Sequence, residues 1–254
     1  MPGKVNIGGT NYSNIAYGKV KISGSDYTIN YGKVGLSSGG YSIISFGPIP
    51  YSFQQVEYLE VNDAGPYIIL PINTVEGLKL KLYCAPLLPE DGGYYDPQCR
   101  LGGGSATATI QRFFMDELSD GTFRAAINAQ NKTAQSQKLT GSPSSLYYVE
   151  ADFGYGNTGT MSIIVDNGNT YTGSRSEWMT TGEPMYLFAY KASTISVSEG
   201  RFGLVQALNR NNVILMDLYP CYRKSDNVPG FWDTVTKTFL INSGSGSFSV
   251  GPDV

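Results

Sequence analysis

Residues 162–172 read Ser162-Ile-Ile-Val-Asp166-Asn167-Gly168-Asn169-Thr-Tyr-Thr172. Asn-Gly is favoured in two-residue turns whose central positions need positive φ, and here it sits between short runs rich in β-branched and aromatic residues. The stretch therefore predicts a β-hairpin, Ser162–Asp166 against Asn169–Thr172. The same grammar repeats on both sides of it. Asp120-Gly121 separates Phe113–Leu118 from Thr122–Ile127, and Asn211-Asn212 separates Phe202–Leu208 from Val213–Tyr219. Thr238–Ile241 and Ser247–Val250 are expected to close the chain around a Gly-Ser turn. Leu78–Cys84 (LKLKLYC) and Gln55–Val61 alternate apolar and polar residues, as half-buried strands do. Pro66–Ile72 is continuously apolar, which predicts a strand buried on both faces. Met185–Tyr190 (MYLFAY) reads as a core strand, and Ala85–Gly104 as a long Pro/Gly/Tyr-rich loop. No window carries a 3.6-residue apolar period. Many short strands separated by turn residues predict an all-β sandwich or barrel.

The composition agrees. The chain has 254 residues, of which 41% are hydrophobic and 15% charged, with 31 Gly and 19 Tyr. An average soluble domain carries roughly 25% charged residues. A Tyr/Gly/Asn-rich chain suits pleated surfaces and tight turns and suits helices poorly. The net charge of −3 offers no clustered basic footprint for nucleic acid. No run approaches the ~20 apolar residues of a membrane-spanning helix. The opening Met1-Pro2-Gly3-Lys4-Val5-Asn6 has no apolar core, so no secretory signal is expected.

The absence of histidine is the most restrictive fact. It removes Ser-His-Asp and Cys-His triads and every His-ligated metal site. Cys84, Cys99 and Cys221 match no metal spacing and are expected to be buried and reduced. No cofactor and no metal ion is expected.

The first 47 residues contain a repeat: KVNIGGTNYSNIAYG from Lys4, KVKISGSDYTINYG from Lys19 and KVGLSSGGYSIISFG from Lys33. Each copy opens on Lys-Val, passes a Gly/Ser turn, reaches a Tyr (Tyr12, Tyr27, Tyr41) and ends on an aromatic-Gly pair. Each predicts two short strands joined by a Gly-rich turn. A lone two-stranded hairpin is marginal in water, so the segment is expected to pack on other copies, on a partner, or on the rest of the chain. Gly47-Pro48-Ile49-Pro50 interrupts regular pairing. The expected division is a β-repeat module over 1–50, for anchoring or assembly, and a β-sandwich over 51–254.

The C-terminal stretch adds a resemblance. Leu218-Tyr-Pro-Cys-Tyr-Arg-Lys-Ser-Asp226 leads into Gly230-Phe-Trp-Asp233, and Asn242-Ser-Gly-Ser-Gly246-Ser-Phe248 follows. This resembles the closing segment of phage and prophage LamG-like domains, which belong to the concanavalin A-like jelly-roll class. Pro184-Met-Tyr-Leu-Phe188, Asn211-Asn212 and Val56-Glu-Tyr-Leu-Glu60 fit the same pattern. Gly3–Thr10 looks like a repeat that opens some phage structural proteins. The resemblance implies a jelly-roll sandwich carried on a virion, with the N-terminal repeats contacting other virion proteins.

Several residues are candidates for chemistry. Trp178, Tyr94, Tyr95 and Tyr155 lie in polar or Gly-rich stretches and could offer aromatic faces to sugar rings; Trp232, inside the turn motif, reads as core. Asp226 and Asp233 read as acceptors of turn N–H groups, with Arg223 pairing a carboxylate nearby. Glu90, Asp91 and Asp96 are the best local oxygen set for a calcium ion. Glu150 and Asp152 have the same-face spacing of a carboxylate pair, whereas Glu57 and Glu60 do not. No catalytic residue is assigned.

The function expected is therefore a bacteriophage surface protein of tail, fibre or head. It would be a homo-oligomer with a lectin-like domain for host-surface or mucosal glycan, located on the extracellular particle. A purely structural capsid or tail component and a polysaccharide-cleaving enzyme are the alternatives.

Overall fold

The computed structural model describes residues 4–7, 10–13, 19–22, 25–28, 31–35, 41–45, 48–62, 65–85, 98–104, 112–117, 122–127, 133–135, 146–156, 158–166, 168–174, 182–191 and 194–254. These residues part into two compact units, Met1–Gln54 and Gln55–Val254.

In the first unit the three repeats are three antiparallel hairpins: β1 (Lys4–Ile7) with β2 (Thr10–Ser13), β3 (Lys19–Ile22) with β4 (Ser25–Thr28), and β5 (Tyr31–Gly35) with β6 (Tyr41–Ser45). The first two share one register: Val5 lies opposite Tyr12, and Val20 opposite Tyr27. In the third, Gly35 takes the place opposite Tyr41.

The strands that follow are β7 (Phe53–Gln55), β8 (Leu59–Val61), β9 (Ile68–Asn73), β10 (Lys79–Ala85), β11 (Gln98–Gly104), β12 (Arg112–Glu117), β13 (Phe123–Ile127) and β14 (Thr133–Gln135). Next come β15 (Tyr147–Asp152), β16 (Thr160–Val165), β17 (Tyr171–Ser174), β18 (Pro184–Leu187), β19 (Ala189–Lys191) and β20 (Ile195–Val197). The last are β21 (Gly200–Leu208), β22 (Ile214–Arg223), β23 (Val228–Asp233), β24 (Thr238–Ile241) and β25 (Ser249–Val250).

The larger sheet runs β17-β16-β15-β10-β21-β22-β23-β24, with β8 beside β21 and β25 beside β8. The smaller runs β14-β13-β12-β11-β18-β9, with β19 on β11 and β20 on β19. After β8 the chain enters the smaller sheet for β9 and returns for β10. It crosses again for β11–β14, returns for β15–β17, crosses for β18–β20 and finishes in the larger sheet. That back-and-forth winding of two sheets, antiparallel except where β19 meets β11, is a jelly-roll sandwich; the strand pattern predicts the sandwich, and the C-terminal resemblance implies the jelly roll.

The inward faces meet in one core. From the larger sheet come Leu80, Leu82, Val149, Ile163, Phe202, Val205, Met216, Leu218 and Phe231; from the smaller, Ile68, Leu101, Phe123, Ala125, Met185 and Leu187. Aromatic contacts span the layers: Phe188 meets Phe202 edge-on at 4.9 Å, and Phe123 meets Tyr147 at 6.1 Å. Burying each such ring contributes about 2–3 kcal/mol.

The three predicted hairpins form as β12/β13, β16/β17 and β21/β22. Asp166 and Asn212 take the positive φ that their turns require. The alternation of Leu78–Cys84 is realised in β10, with Leu80, Leu82 and Cys84 inward.

Four expectations need correction. Pro66–Ile72 is not buried on both faces: β9 is the edge of its sheet, with Ile69 47% exposed. MYLFAY is not one strand, because Phe188 adopts φ 63° and divides β18 from β19. The 85–104 stretch is not loop throughout, since β11 occupies its end and pairs both β12 and β18. Finally, β24 and β25 do not pair. β24 lies on β23 and β25 on β8. The intervening loop is pinned by Asn242, whose Oδ1 accepts Tyr67 N–H (3.1 Å) and Gly244 N–H (2.7 Å), while Ser243 N–H donates to the Tyr67 carbonyl. Phe248 then enters the core, 5.3 Å from Phe188.

Candidate functional site

Alternation along the larger sheet leaves one face free of the core, and register arranges its side chains in rows across the strands. On β10 the outward residues are Lys79, Lys81 and Tyr83; on β15 they are Tyr148, Glu150 and Asp152. Pairing sets Lys79 opposite Asp152, Lys81 opposite Glu150 and Tyr83 opposite Tyr148. Lys81 also faces Gln206 on β21, and Gln206 faces Asp217 on β22.

Two polar rows result. In the first, Lys81 Nζ meets Glu150 Oε1 at 2.6 Å. Gln206 Nε2 donates to Asp217 Oδ1 (3.4 Å), and Thr234 Oγ1 donates to Asp217 Oδ2 (2.7 Å). In the second, Lys79 Nζ lies 3.6 Å from Asp152 and donates to Asn212 Oδ1 at 3.0 Å. The hydrogen bond to Glu150 holds the Lys81 ammonium above its ordinary pKa. Burial raises the Tyr148 phenol, so both groups keep their protons at neutral pH.

Beside these rows runs an aromatic one. Tyr83 and Tyr148 lie 5.3 Å apart, tilted by 51°. Farther along, Tyr219, Trp232 and Phe239 stand in register across β22, β23 and β24. Trp232 is therefore half-exposed on this face rather than core. Tyr83 is 40% exposed. It sits at a β-bulge: register shifts between Leu82 and Cys84, so Tyr83 faces both Gly203 and Leu204 on β21. Bulges of this kind re-aim side chains. Gly203 is needed there, because a Cβ would come within 3.0 Å of the Glu57 carbonyl and 3.1 Å of Tyr83 Cβ. The result is an open cleft of about 540 Å³ lined by Gln55, Glu57, Tyr83, Leu146, Leu204 and Pro220.

Of the residues singled out from sequence, Tyr155 is 51% exposed, but the Arg210 guanidinium covers its ring at 4.5 Å. Tyr94, Tyr95, Trp178 and the acidic trio Glu90, Asp91 and Asp96 lie outside the described residues. Glu150 and Asp152 share a face, as their spacing predicts, and each is matched by a lysine. Glu60 pairs with Arg201, which in turn lies 4.8 Å over the Tyr58 ring. Asp226 and Asp233 do serve turns. Asp226 takes a two-pronged bond from Arg223, which lowers its pKa, and Asp233 gathers four donors. All three cysteines are buried and reduced. Among the described residues, no three acidic or cysteine side chains cluster as metal ligands would.

The sequence reading missed Tyr83 and Tyr148, and weighed Glu57 only as half of a carboxylate pair with Glu60. Alternation in LKLKLYC and in Tyr147–Asp152 assigns Tyr83 and Tyr148 to outward positions. Their meeting depends on the pairing of β10 with β15, which no local signal encodes.

No protein-family profile matches the chain, and no curated protein matches it by sequence. Among solved structures, it is similar to the native heptameric SAP-like pentraxin from Limulus polyphemus. Identity is 12% and the TM-score 0.49, over 78% of this chain and 95% of that one.

Proposed function

We propose that this chain is a surface protein of a bacteriophage particle whose sandwich adheres to carbohydrate through the outer face of its larger sheet. The observation that carries the reading is the aromatic row lying directly beside rows of hydrogen-bonding side chains. Sugar rings have apolar C–H faces and a rim of hydroxyls. A ring such as Tyr83 takes the first, and neighbouring carboxylate and amide groups take the second. The amphipathic rings supply contact area at low entropic cost. The particle location rests on the likeness of residues 184–254 to phage LamG-like domains and on the N-terminal repeats. Those hairpins, marginal singly, pack on one another's copies or on neighbouring virion proteins and give a symmetric oligomer.

A non-enzymatic role fits the same face. The chain has no histidine, and the same-face carboxylates Glu150 and Asp152 are each engaged by lysine rather than opposed across an open gap. A glycan array probed with the full chain tests adhesion: retention on at least one polysaccharide is expected, and silence on every sugar rejects it. Antibody labelling of intact particles in the electron microscope tests the location, and light scattering of the purified chain tests the oligomer.

A further inference from the structure

We infer that the cleft at Tyr83 takes an uncharged pyranose of a neutral polysaccharide and turns acidic glycans away. The inference rests on the adhesive reading above and specifies its ligand. The cleft, at about 540 Å³, lies inside the roughly 300–1,000 Å³ range of small-ligand sites. Next to it is Gly203, whose missing side chain lets Tyr83, Leu146 and the Glu57 backbone approach one another. Leu146, Leu204 and Pro220 supply apolar wall, and the exposed Tyr83 ring supplies a stacking face. Glu57 is exposed, and its carboxylate has no hydrogen bond or ion pair with the described residues. It is therefore free to accept sugar hydroxyls.

Charge selects among sugars. In the cleft and the two polar rows the acids are Glu57, Glu150, Asp152 and Asp217, and the cations are Lys79 and Lys81. The balance is four carboxylates against two ammonium groups, a net of −2. Both lysines already face an acid, Lys81 at 2.6 Å and Lys79 at 3.6 Å. A uronate, sialate or phosphate would thus approach the unmatched Glu57 carboxylate with no cation released to meet it. Its desolvation would go uncompensated. A neutral ring meets no such cost.

The test is biolayer interferometry of the full chain on immobilised dextran, mannan and galactan (neutral) and on alginate and polygalacturonate (acidic), at low and high salt. The expected result is binding to at least one neutral polymer, insensitive to salt, with the acidic polymers unbound. Tyr83→Ala should weaken that binding about tenfold. Tyr83→Phe keeps the ring and should hold it within about threefold, with circular dichroism and thermal melting confirming that both variants fold. Glu57→Gln should admit acidic polymer that the wild type rejects. Acidic polymer bound as well as the neutral ones overturns the charge selection. Neutral binding that Tyr83→Ala leaves unchanged overturns the cleft as the site, while adhesion itself survives. Binding to none of the polymers overturns this inference, while the adhesive reading is decided by the glycan array.

Discussion

Gly200 is pressed against Cys99. Its φ is 133°, and a Cβ built on it would fall 2.6 Å from Cys99 Sγ and 3.1 Å from Cys99 N. The contact joins the start of β21 in the larger sheet to β11 in the smaller, and Cys99 itself holds φ 50°. Gly200→Ala adds both a clash and a disfavoured backbone conformation. A loss of about 2–4 kcal/mol is expected, measured as a lower urea midpoint.

Asp233 is fully buried and gathers the turn between β23 and β24. Its Oδ1 accepts Asp217 N–H (3.0 Å) and Val235 N–H (3.1 Å), and its Oδ2 accepts Thr236 N–H (3.1 Å) and Thr236 Oγ1–H (2.6 Å). Asp233→Ala would leave the Asp217, Val235 and Thr236 donors without their shared acceptor, at a cost of about 2–3 kcal/mol. Hydrogen exchange should show the amides of residues 235–241 losing protection before those of β10 and β21.

Phe248 anchors the closing segment against Phe188, which packs on Phe202. Phe248→Ala should cost about 3–5 kcal/mol. The cost arises from the cavity the ring leaves beside Phe188; the backbone pairing of Ser249 with Glu60 and Val250 with Leu59, and the bond from Gly251 N–H to the Tyr58 carbonyl, remain. Limited proteolysis should then clip the chain near residues 243–247, which the wild type resists.

On the alkaline side, burial pushes the Cys221 thiol from an ordinary value of 9.0 up to about 12. The native state holds this proton more tightly than the unfolded chain does. Stability from the group is therefore complete below about pH 9 and falls as pH rises toward 12, by up to about 1.4 kcal/mol per pH unit. Lys81, raised by its bond to Glu150, acts in the same direction at higher pH. Urea midpoints should drop between pH 8 and pH 11, more steeply in wild type than in Cys221→Ala. Thiol reagents at pH 8 should find no reactive cysteine until the protein unfolds.

The sandwich was legible where a signal is local. Asn167-Gly168, Asp120-Gly121 and Asn211-Asn212 each mark a turn that two short strands must flank, and LKLKLYC names its own inward face. It was illegible where the deciding contact is distant. MYLFAY reads as one strand, yet Ser198 N–H and Oγ–H both reach the Phe188 carbonyl from ten residues away and hold the break there. Ser247–Val250 looks like the partner of Thr238–Ile241, yet its mate is β8, far back in the chain. The outer face of the larger sheet is illegible for the same reason. Each strand assigns its outward residues, but only the order β15-β10-β21-β22 makes rows of them, and that order is set by burying the other face.

Asn242 has a consequence beyond its own loop. By fastening the chain beyond β24 to the start of β9, it ties the margin of one sheet to the margin of the other. Exposed sheet margins are where neighbouring molecules recruit one another's backbone into unwanted continuous ribbons. A protein sealed along that seam can stand shoulder to shoulder with many copies of itself and remain a set of separate molecules.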